Sequence, residues 1–157
     1  MLRVGDIAPD FETRDDTGKR FKLSEYRGKK LVLYFYPKDF TPGCTAEACS
    51  LRDSYQIFEG SGIPIFGISG GSVELHQNFR EKYNLPFNIL MDENLNIAKM
   101  YDAYSKLSIL GAITRRITYL IDEEGKIEGI FGGSEGMDKV RSKEHAEQLT
   151  NFWGLKL

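Results

Sequence analysis

The two cysteines of this 157-residue chain, Cys44 and Cys49, lie five positions apart and are the side chains best suited to chemistry. An apolar run at residues 31–36 and a segment containing proline and glycine at residues 37–43 precede them. This order predicts a strand, a tight loop and a helix that begins just before Cys44. Unpaired N–H groups at a helix start favour a thiolate, which is the reactive form of cysteine. Because the second thiol can trap the oxidised first one, the pair predicts a redox site.

The residues around Cys44 fit the start of a helix. Pro42 suits an early helical position, because its missing N–H is not needed there. Gly43 would let a substrate approach the backbone closely. The hydroxyl of Thr41 can cap the helix or donate to a sulfur or substrate oxygen. Glu47, one turn after Cys44, can relay a proton or favour the helix start through its charge, and we favour the second interpretation.

The spacing of the two cysteines conflicts with a disulfide inside an intact helix. Five residues correspond to a rotation of about 140° and a Cα–Cα distance of about 8.6 Å in ideal helical geometry. A disulfide requires Cα atoms less than about 7 Å apart. Cys44 and Cys49 therefore either never bond, or bond after the first turns of the helix unwind.

A packing role is the alternative for both thiols, since cysteine is often buried for its size alone. Cys49 would then be a small core residue and Cys44 an incidental loop thiol. The apolar run and the segment Thr41-Pro42-Gly43 favour chemistry. Two cysteines do not make a disulfide scaffold, and in a reducing cytosol a close pair indicates catalysis, redox sensing or metal binding.

Apolar patterns predict the elements that position the pair. Strands are predicted at residues 31–36, 63–68, 87–91, 117–121 and 126–131, and short strands around a turn at 15–18. Helices are predicted along the stripe Ala48, Leu51, Tyr55 and Phe58, and at residues 72–83, 94–103 and 142–152. Together they predict one α/β domain over residues 1–157, with a central mixed β-sheet flanked by helices and an N-terminal β extension.

Composition limits the classes of function. The net charge of −2 does not favour nucleic acid or an anionic membrane as a partner. No run reaches the roughly 20 apolar residues of a membrane span. Residues 1–6 lack the apolar core of a signal peptide, so we expect a cytoplasmic location. His76 and His145 lack ligand spacing to the cysteines, so we predict no metal and no cofactor.

Residues 37–45, Pro-Lys-Asp-Phe-Thr-Pro-Gly-Cys-Thr, resemble the active-site motif of the peroxiredoxins, Pro-x-x-x-Thr/Ser-x-x-Cys. A second cysteine five positions later resembles the bacterioferritin comigratory protein, or peroxiredoxin Q, subfamily. Residues 5–11, 23–29 and 116–122 resemble further family segments in the same order, so the resemblance covers nearly the whole chain. It implies a thioredoxin-like fold.

The resemblance implies a thiol-dependent peroxidase that reduces hydrogen peroxide and organic hydroperoxides. Cys44 would be the peroxidatic cysteine and become a sulfenic acid, and Cys49 would resolve it as an intramolecular disulfide. Thr41 would hydrogen-bond the peroxide, and Pro37 would shield the sulfur from water. Arg116 would stabilise the thiolate and the charge that develops as the O–O bond breaks. A thioredoxin- or glutaredoxin-like protein would reduce the disulfide, and since resolution needs no second chain we expect a monomer or weak homodimer.

Arg116 has a second arginine, Arg115, beside it. Adjacent side chains on a strand point to opposite faces, so only one of the two should reach the site. The spacing to Thr118 and Tyr119 favours Arg116.

Two other functions use the same cysteine pair. A disulfide oxidoreductase on this fold uses Cys-x-x-Cys, and the four-residue gap here argues against that function. A redox sensor would use the unwinding of the helix on oxidation to expose a binding surface, and this function is compatible with peroxidase activity.

Overall fold

The computed structural model describes residues 1–108 and 111–156. Residues 109, 110 and 157 of the predicted domain lie outside this description. Within the described ranges, no helix has both the length and the apolar character needed to cross a bilayer.

A five-stranded mixed sheet forms the centre of the fold, in the order β5-β4-β3-β8-β9. Its strands are β3 (Leu31–Phe35), β4 (Ile65–Ser69), β5 (Ile89–Met91), β8 (Ile117–Ile121) and β9 (Ile127–Phe131). The pairs β3–β4 and β4–β5 are parallel, whereas β3–β8 and β8–β9 are antiparallel. The predicted mixed α/β sheet is confirmed, and the strand ends agree with the prediction to within two residues.

Strand β3 is buried along its whole length and divides the core into two layers. Leu31, Leu33 and Phe35 belong to one apolar layer, and Val32 and Tyr34 belong to the other. This alternation follows from the two-residue period of a strand. The layer with Tyr34 also contains Cys44, so the sheet supplies the floor beneath the predicted reactive thiol.

The N-terminal extension is a hairpin of β1 (Glu12–Arg14) and β2 (Arg20–Lys22), as predicted. Its turn contains Asp16, which is buried. The Asp16 carboxylate accepts hydrogen bonds from Arg80 Nη1 at 2.8 Å and from the main-chain N of Ile89 at 3.1 Å. The buried carboxylate thus joins the hairpin to Arg80 and β5, beside main-chain bonds such as that from Asp16 N to Ile89 O at 2.9 Å.

The helices cover the two faces of the sheet. They are α1 (Pro42–Asp53), α2 (Tyr55–Gly60), α3 (Val73–Tyr83), α4 (Asn96–Met100) and α5 (His145–Trp153). The predicted start of α3 is confirmed, since the main-chain N of Leu75 donates to Ser72 Oγ at 3.0 Å. The stripe predicted as one helix from Ala48 to Phe58 is two helices, because the chain leaves helical geometry at Ser54.

Two further regions differ from the sequence prediction. Helix α4 is shorter than predicted, because Asn94 and Leu95 before it have left-handed backbone angles, with φ of 55° and 56°. A separate hairpin of β6 (Tyr104–Ser108) and β7 (Gly111–Thr114) follows it. This hairpin was not predicted.

Helix α5 carries the single tryptophan of the chain, Trp153, in its last turn. The indole N–H donates to Glu128, and the Lys30 ammonium lies 5.5 Å from the ring centre. At the start of the helix, the main-chain N of Ala146 donates to Ser50 Oγ of α1 at 3.0 Å. Helix α5 therefore packs against α1 while its end packs against the sheet edge.

Candidate active site

Cys44 is the third residue of α1 and its side chain is buried, with 1% exposure. Thr41 before the helix is extended, with φ −73° and ψ 150°, and its carbonyl accepts from Thr45 N at 2.8 Å. Pro42 occupies the first helical turn, as predicted. The thiol therefore lies at the N-terminal end of a twelve-residue helix, where the unpaired N–H groups favour an anion.

Arg116 contacts the thiol directly. Its Nη2 donates to Cys44 Sγ at 3.3 Å, and its Nη1 donates to Glu47 Oε1 at 2.7 Å. Burial lowers the pKa of Arg116, but the charges of Glu47 and Cys44 outweigh burial and leave the pKa above its ordinary value. Arg115 turns away and its Nη1 donates to the main-chain O of Asp102 at 3.4 Å. The structure therefore brings Arg116, and not its neighbour, to the sulfur.

Gly43 makes room for this arginine. A Cβ at Gly43 would lie 3.0 Å from Arg116 Nη2, which is tighter than ordinary packing. From the sequence alone, the absence of a side chain at Gly43 predicts close approach of a substrate. In the structure, the absence of a side chain at Gly43 lets the Arg116 guanidinium contact Cys44 Sγ.

The sequence favours a role for Glu47 at the helix start, whereas the structure directs its side chain into the interior. Its side chain is fully buried and ion-paired with Arg116. Burial raises the pKa of Glu47 to about 7, although Arg116 partly opposes that shift. The second carboxylate oxygen, Oε2, has no hydrogen-bond partner and lies 3.5 Å from His145 Nε2. Glu47 thus connects the arginine at the thiol with a buried histidine.

The protonation of His145 follows from its neighbours. Gln148 Oε1 accepts from Arg141 N at 3.0 Å, and Gln148 Nε2 donates to Lys139 O at 2.9 Å, which fixes the orientation of the amide. Nδ1 of His145, 2.9 Å from Gln148 Oε1, must therefore carry a hydrogen. Nε2 then accepts from the Thr118 hydroxyl at 2.8 Å. Burial lowers the pKa of His145 to about 4, so the ring is neutral near pH 7.

Pro37 and Thr41 lie on the turn before α1, residues 37–41, and both are partly buried. The Thr41 hydroxyl donates to Lys38 O at 3.0 Å and does not cap the helix. The Pro37 carbonyl lies 3.4 Å from Ser69 Oγ at the end of β4. The turn thus bonds to itself and to the sheet, and it places both predicted residues beside the helix start.

Comparison with known proteins gives the family. Residues 4–130 match the model of the AhpC/TSA family. Peroxiredoxin Bcp of Bacillus subtilis is 41% identical over 150 residues, which are 94% of this chain and 92% of that protein. The chain belongs to the AhpC/TSA family. It is a peroxiredoxin of the Bcp or peroxiredoxin Q group, which makes it a thiol-dependent peroxidase, as the resemblance implied.

Solved structures of this peroxiredoxin group share the fold. A cysteine-to-serine variant of PrxQ from Xylella fastidiosa has a TM-score of 0.87 at 26% identity and covers 98% of this chain and 96% of its own. The bacterioferritin comigratory protein of Xanthomonas campestris, solved in work on its alkyl peroxide reduction activity, has a TM-score of 0.83 at 27% identity, with 98% and 96% coverage. The predicted thioredoxin-like fold is confirmed.

The second cysteine of this peroxiredoxin, Cys49, is partly buried, and both cysteines are free thiols on the one continuous helix α1. Helix α1 is bound to α5 through Ser50, the next residue. Because ideal helix geometry holds the two Cα atoms about 8.6 Å apart, a bond between Cys44 and Cys49 would require α1 to unwind between them.

A second set of buried polar groups includes a residue of the motif itself, Asp39. Asp39, with 3% exposure, accepts from the Tyr36 hydroxyl at 2.6 Å, and His76 Nδ1 lies 2.5 Å from Asp39 Oδ2. His76 Nε2 lies 3.2 Å from the main-chain O of Ser69. We call Tyr36, Asp39, Ser69 and His76 the Asp39 cluster. No sequence pattern indicates this cluster, because Asp39 and His76 are 37 positions apart.

Neither histidine forms part of a metal-ligand set. Within residues 1–108 and 111–156, no group of three or more His, Cys, Asp or Glu side chains is arranged to hold a metal ion. His76 and His145 instead form hydrogen bonds to protein groups at both ring nitrogens.

Proposed function

We propose that this peroxiredoxin reduces hydrogen peroxide and organic hydroperoxides at Cys44. The observation that carries the proposal is the contact of Arg116 Nη2 with Cys44 Sγ at a helix start. The thiolate attacks one peroxide oxygen, the O–O bond breaks and the sulfur becomes a sulfenic acid. The second oxygen takes a proton and leaves as water or an alcohol. The Xanthomonas relative studied for alkyl peroxide reduction supports the inclusion of organic peroxides.

The surrounding residues have separate roles in this proposal. Arg116 stabilises the thiolate and the negative charge that grows on the leaving oxygen. Thr41 hydrogen-bonds the peroxide, and Pro37 keeps water away from the sulfur. These roles are supported by the position of the 37–41 turn beside the start of α1.

Cys49 resolves the sulfenic acid in the next step of the proposal. Its thiol attacks the oxidised sulfur, the S–O bond breaks, a disulfide forms and water leaves. Because ideal helix geometry holds the two Cα atoms about 8.6 Å apart, α1 unwinds before this bond forms. A thioredoxin- or glutaredoxin-like protein then reduces the disulfide, in the cytoplasm. One chain completes the cycle as a single domain, so a monomer or weak homodimer suffices.

Two cysteine variants test this function. Cys44→Ser should abolish peroxide consumption, since no other residue is proposed to attack the O–O bond. Cys49→Ser should still undergo one oxidation per chain but should form no internal disulfide. Intact mass and peptide mapping after one equivalent of hydrogen peroxide separate these outcomes. Full turnover by Cys44→Ser would rule out the proposed nucleophile, and an unbridged wild type would remove Cys49 from the cycle.

A further inference from the structure

The Asp39 cluster contains a hydrogen that its geometry requires. The main-chain O of Ser69 can only accept, so Nε2 of His76 carries a hydrogen. Asp39 Oδ2 and His76 Nδ1 are 2.5 Å apart, so another hydrogen lies between these two atoms, whichever of them it is bonded to. The ring and the carboxyl group therefore form a neutral pair joined by a strong hydrogen bond. Because both side chains have 0% exposure, no water can replace that bond if it is lost.

The cluster fixes the turn that carries two of the proposed catalytic residues. Asp39 lies between Pro37, whose carbonyl is bonded to Ser69, and Thr41. The Thr41 hydroxyl donates its one hydrogen to Lys38 O, the residue just before Asp39. The lone pairs of the hydroxyl are then left to accept the O–H of a peroxide. The direction of these lone pairs depends on the conformation of the 37–41 turn, which the hydrogen bonds of Asp39 stabilise.

We infer that His76 is a positioning residue for peroxide reduction, and that it acts through Asp39 on the 37–41 turn. The inference rests on the proposed reaction at Cys44. His76 lies on α3 and its ring is bonded between Asp39 and Ser69, so it acts on the turn and not on the sulfur. The Tyr36 hydroxyl supports the same carboxylate from the end of β3.

Two amide substitutions separate the functions of the two ring nitrogens. In His76→Asn, the side-chain amide reaches the position of Nδ1 and can still donate to Asp39. In His76→Gln, the longer side chain brings the amide to the position of Nε2, where it can donate to Ser69 O but not to Asp39. Both variants are polar and uncharged, so they differ mainly in which bond they keep.

The test compares two reactions of Cys44 in each variant: oxidation by hydrogen peroxide and alkylation by iodoacetamide, both at pH 7. His76→Gln should lose about tenfold or more in the peroxide rate constant, because a misplacement of about 1 Å can cost about 10²-fold. His76→Asn should stay within about threefold of wild type, since it keeps the bond to Asp39 and loses only a neutral one. Alkylation needs the thiolate but not the turn, so it should change little in both.

Ser72→Ala is the matched control for a loosened α3. It removes the N-cap bond to Leu75 and destabilises the helix without touching Asp39, so the peroxide rate constant should be normal. Equal losses in Ser72→Ala and His76→Gln, or wild-type rates in His76→Gln, would overturn the inference. If His76→Gln does not fold, Tyr36→Phe takes its place, and a normal peroxide rate there would overturn the inference too. A wild type that is not oxidised at Cys44 would instead overturn the proposed function.

Discussion

Glu47 and His145 change their proton affinity in opposite directions on folding. Burial raises the pKa of Glu47 from 4.5 to about 7 and lowers the pKa of His145 from 6.5 to about 4. Stability from Glu47 is therefore full below pH 4.5 and is lost as the pH rises through 7. Stability from His145 is full above pH 6.5 and is lost as the pH falls through 4. Between these limits the two dependences oppose each other, so we expect the wild-type free energy of unfolding to vary little between pH 4.5 and 6.5.

Single substitutions should expose each dependence. Glu47→Gln should gain stability relative to wild type as the pH rises from 4.5 to 7, by up to about 3 kcal/mol, because Glu47 ionises in the unfolded state of wild type while burial keeps it protonated in the folded state. His145→Asn should gain relative to wild type as the pH falls from 6.5 to 4, by a similar amount of about 3 kcal/mol. Urea unfolding across this pH range measures both. If the difference in the free energy of unfolding between each variant and wild type does not change with pH, neither group titrates as proposed.

At the residue scale, the sequence predicted the contact between Arg116 and Cys44 but not the positions of the buried side chains of Glu47 and His145. Cys44 and Arg116 lie in recognisable motif segments. Glu47 also follows the motif, yet its inward direction depends on Arg116, 69 positions away. His145 lies near Glu47 only because α5 packs on α1. Such partners are fixed by tertiary contacts, and a single sequence has no periodic signal for them.

Helix α1 is the element whose stability should control the second chemical step. If Cys44 and Cys49 bond only after unwinding, a weaker helix should bond faster. Ala46→Gly lowers helix stability by about 1 kcal/mol, which should speed disulfide formation up to about fivefold without slowing the first oxidation. Rapid-quench alkylation after one equivalent of peroxide measures the rate of disulfide formation.

The control for this experiment places the same kind of change in another helix. Glu74→Gly weakens α3, which contains neither cysteine, so the rate of disulfide formation should stay at the wild-type value. An unchanged rate in a destabilised Ala46→Gly protein would mean that the two sulfurs meet without unwinding of α1.

At the element scale, continuous apolar runs predicted the buried strands correctly. The break between α1 and α2, which depends on the backbone angles of one residue, Ser54, was not predicted. The runs that became β3, β4 and β8 are buried strands. The break at Ser54 was missed because Tyr55 and Phe58 continue the apolar stripe of α1 across it. The hairpin β6–β7 was missed because residues 104–108 have no clear two-residue alternation of apolar and polar side chains.

At the scale of the whole molecule, the buried carboxylate of Asp16 is one of the contacts that hold the N-terminal hairpin to the rest of the protein. Asp16→Ala removes the partner of Arg80 and of the Ile89 main-chain N, so we expect a loss of about 2 kcal/mol or more in the free energy of unfolding. Glu12→Ala removes a solvent-exposed ion pair with Arg20 and should change stability little. Chemical denaturation of both variants gives the comparison. Equal effects would show that the extension is not held through Asp16.

The packing of α5 has an optical consequence. Trp153 is the only tryptophan and lies at the C-terminal end of α5. The N-terminal end of the same helix is hydrogen-bonded to Ser50 of α1. If α1 unwinds to form the proposed disulfide, we expect α5 to lose contacts with α1 and the indole to shift relative to the Lys30 ammonium and Glu128. The intrinsic fluorescence of the unlabelled protein should therefore differ between its dithiol and disulfide forms. Each turnover would then produce a light signal that can be followed in real time.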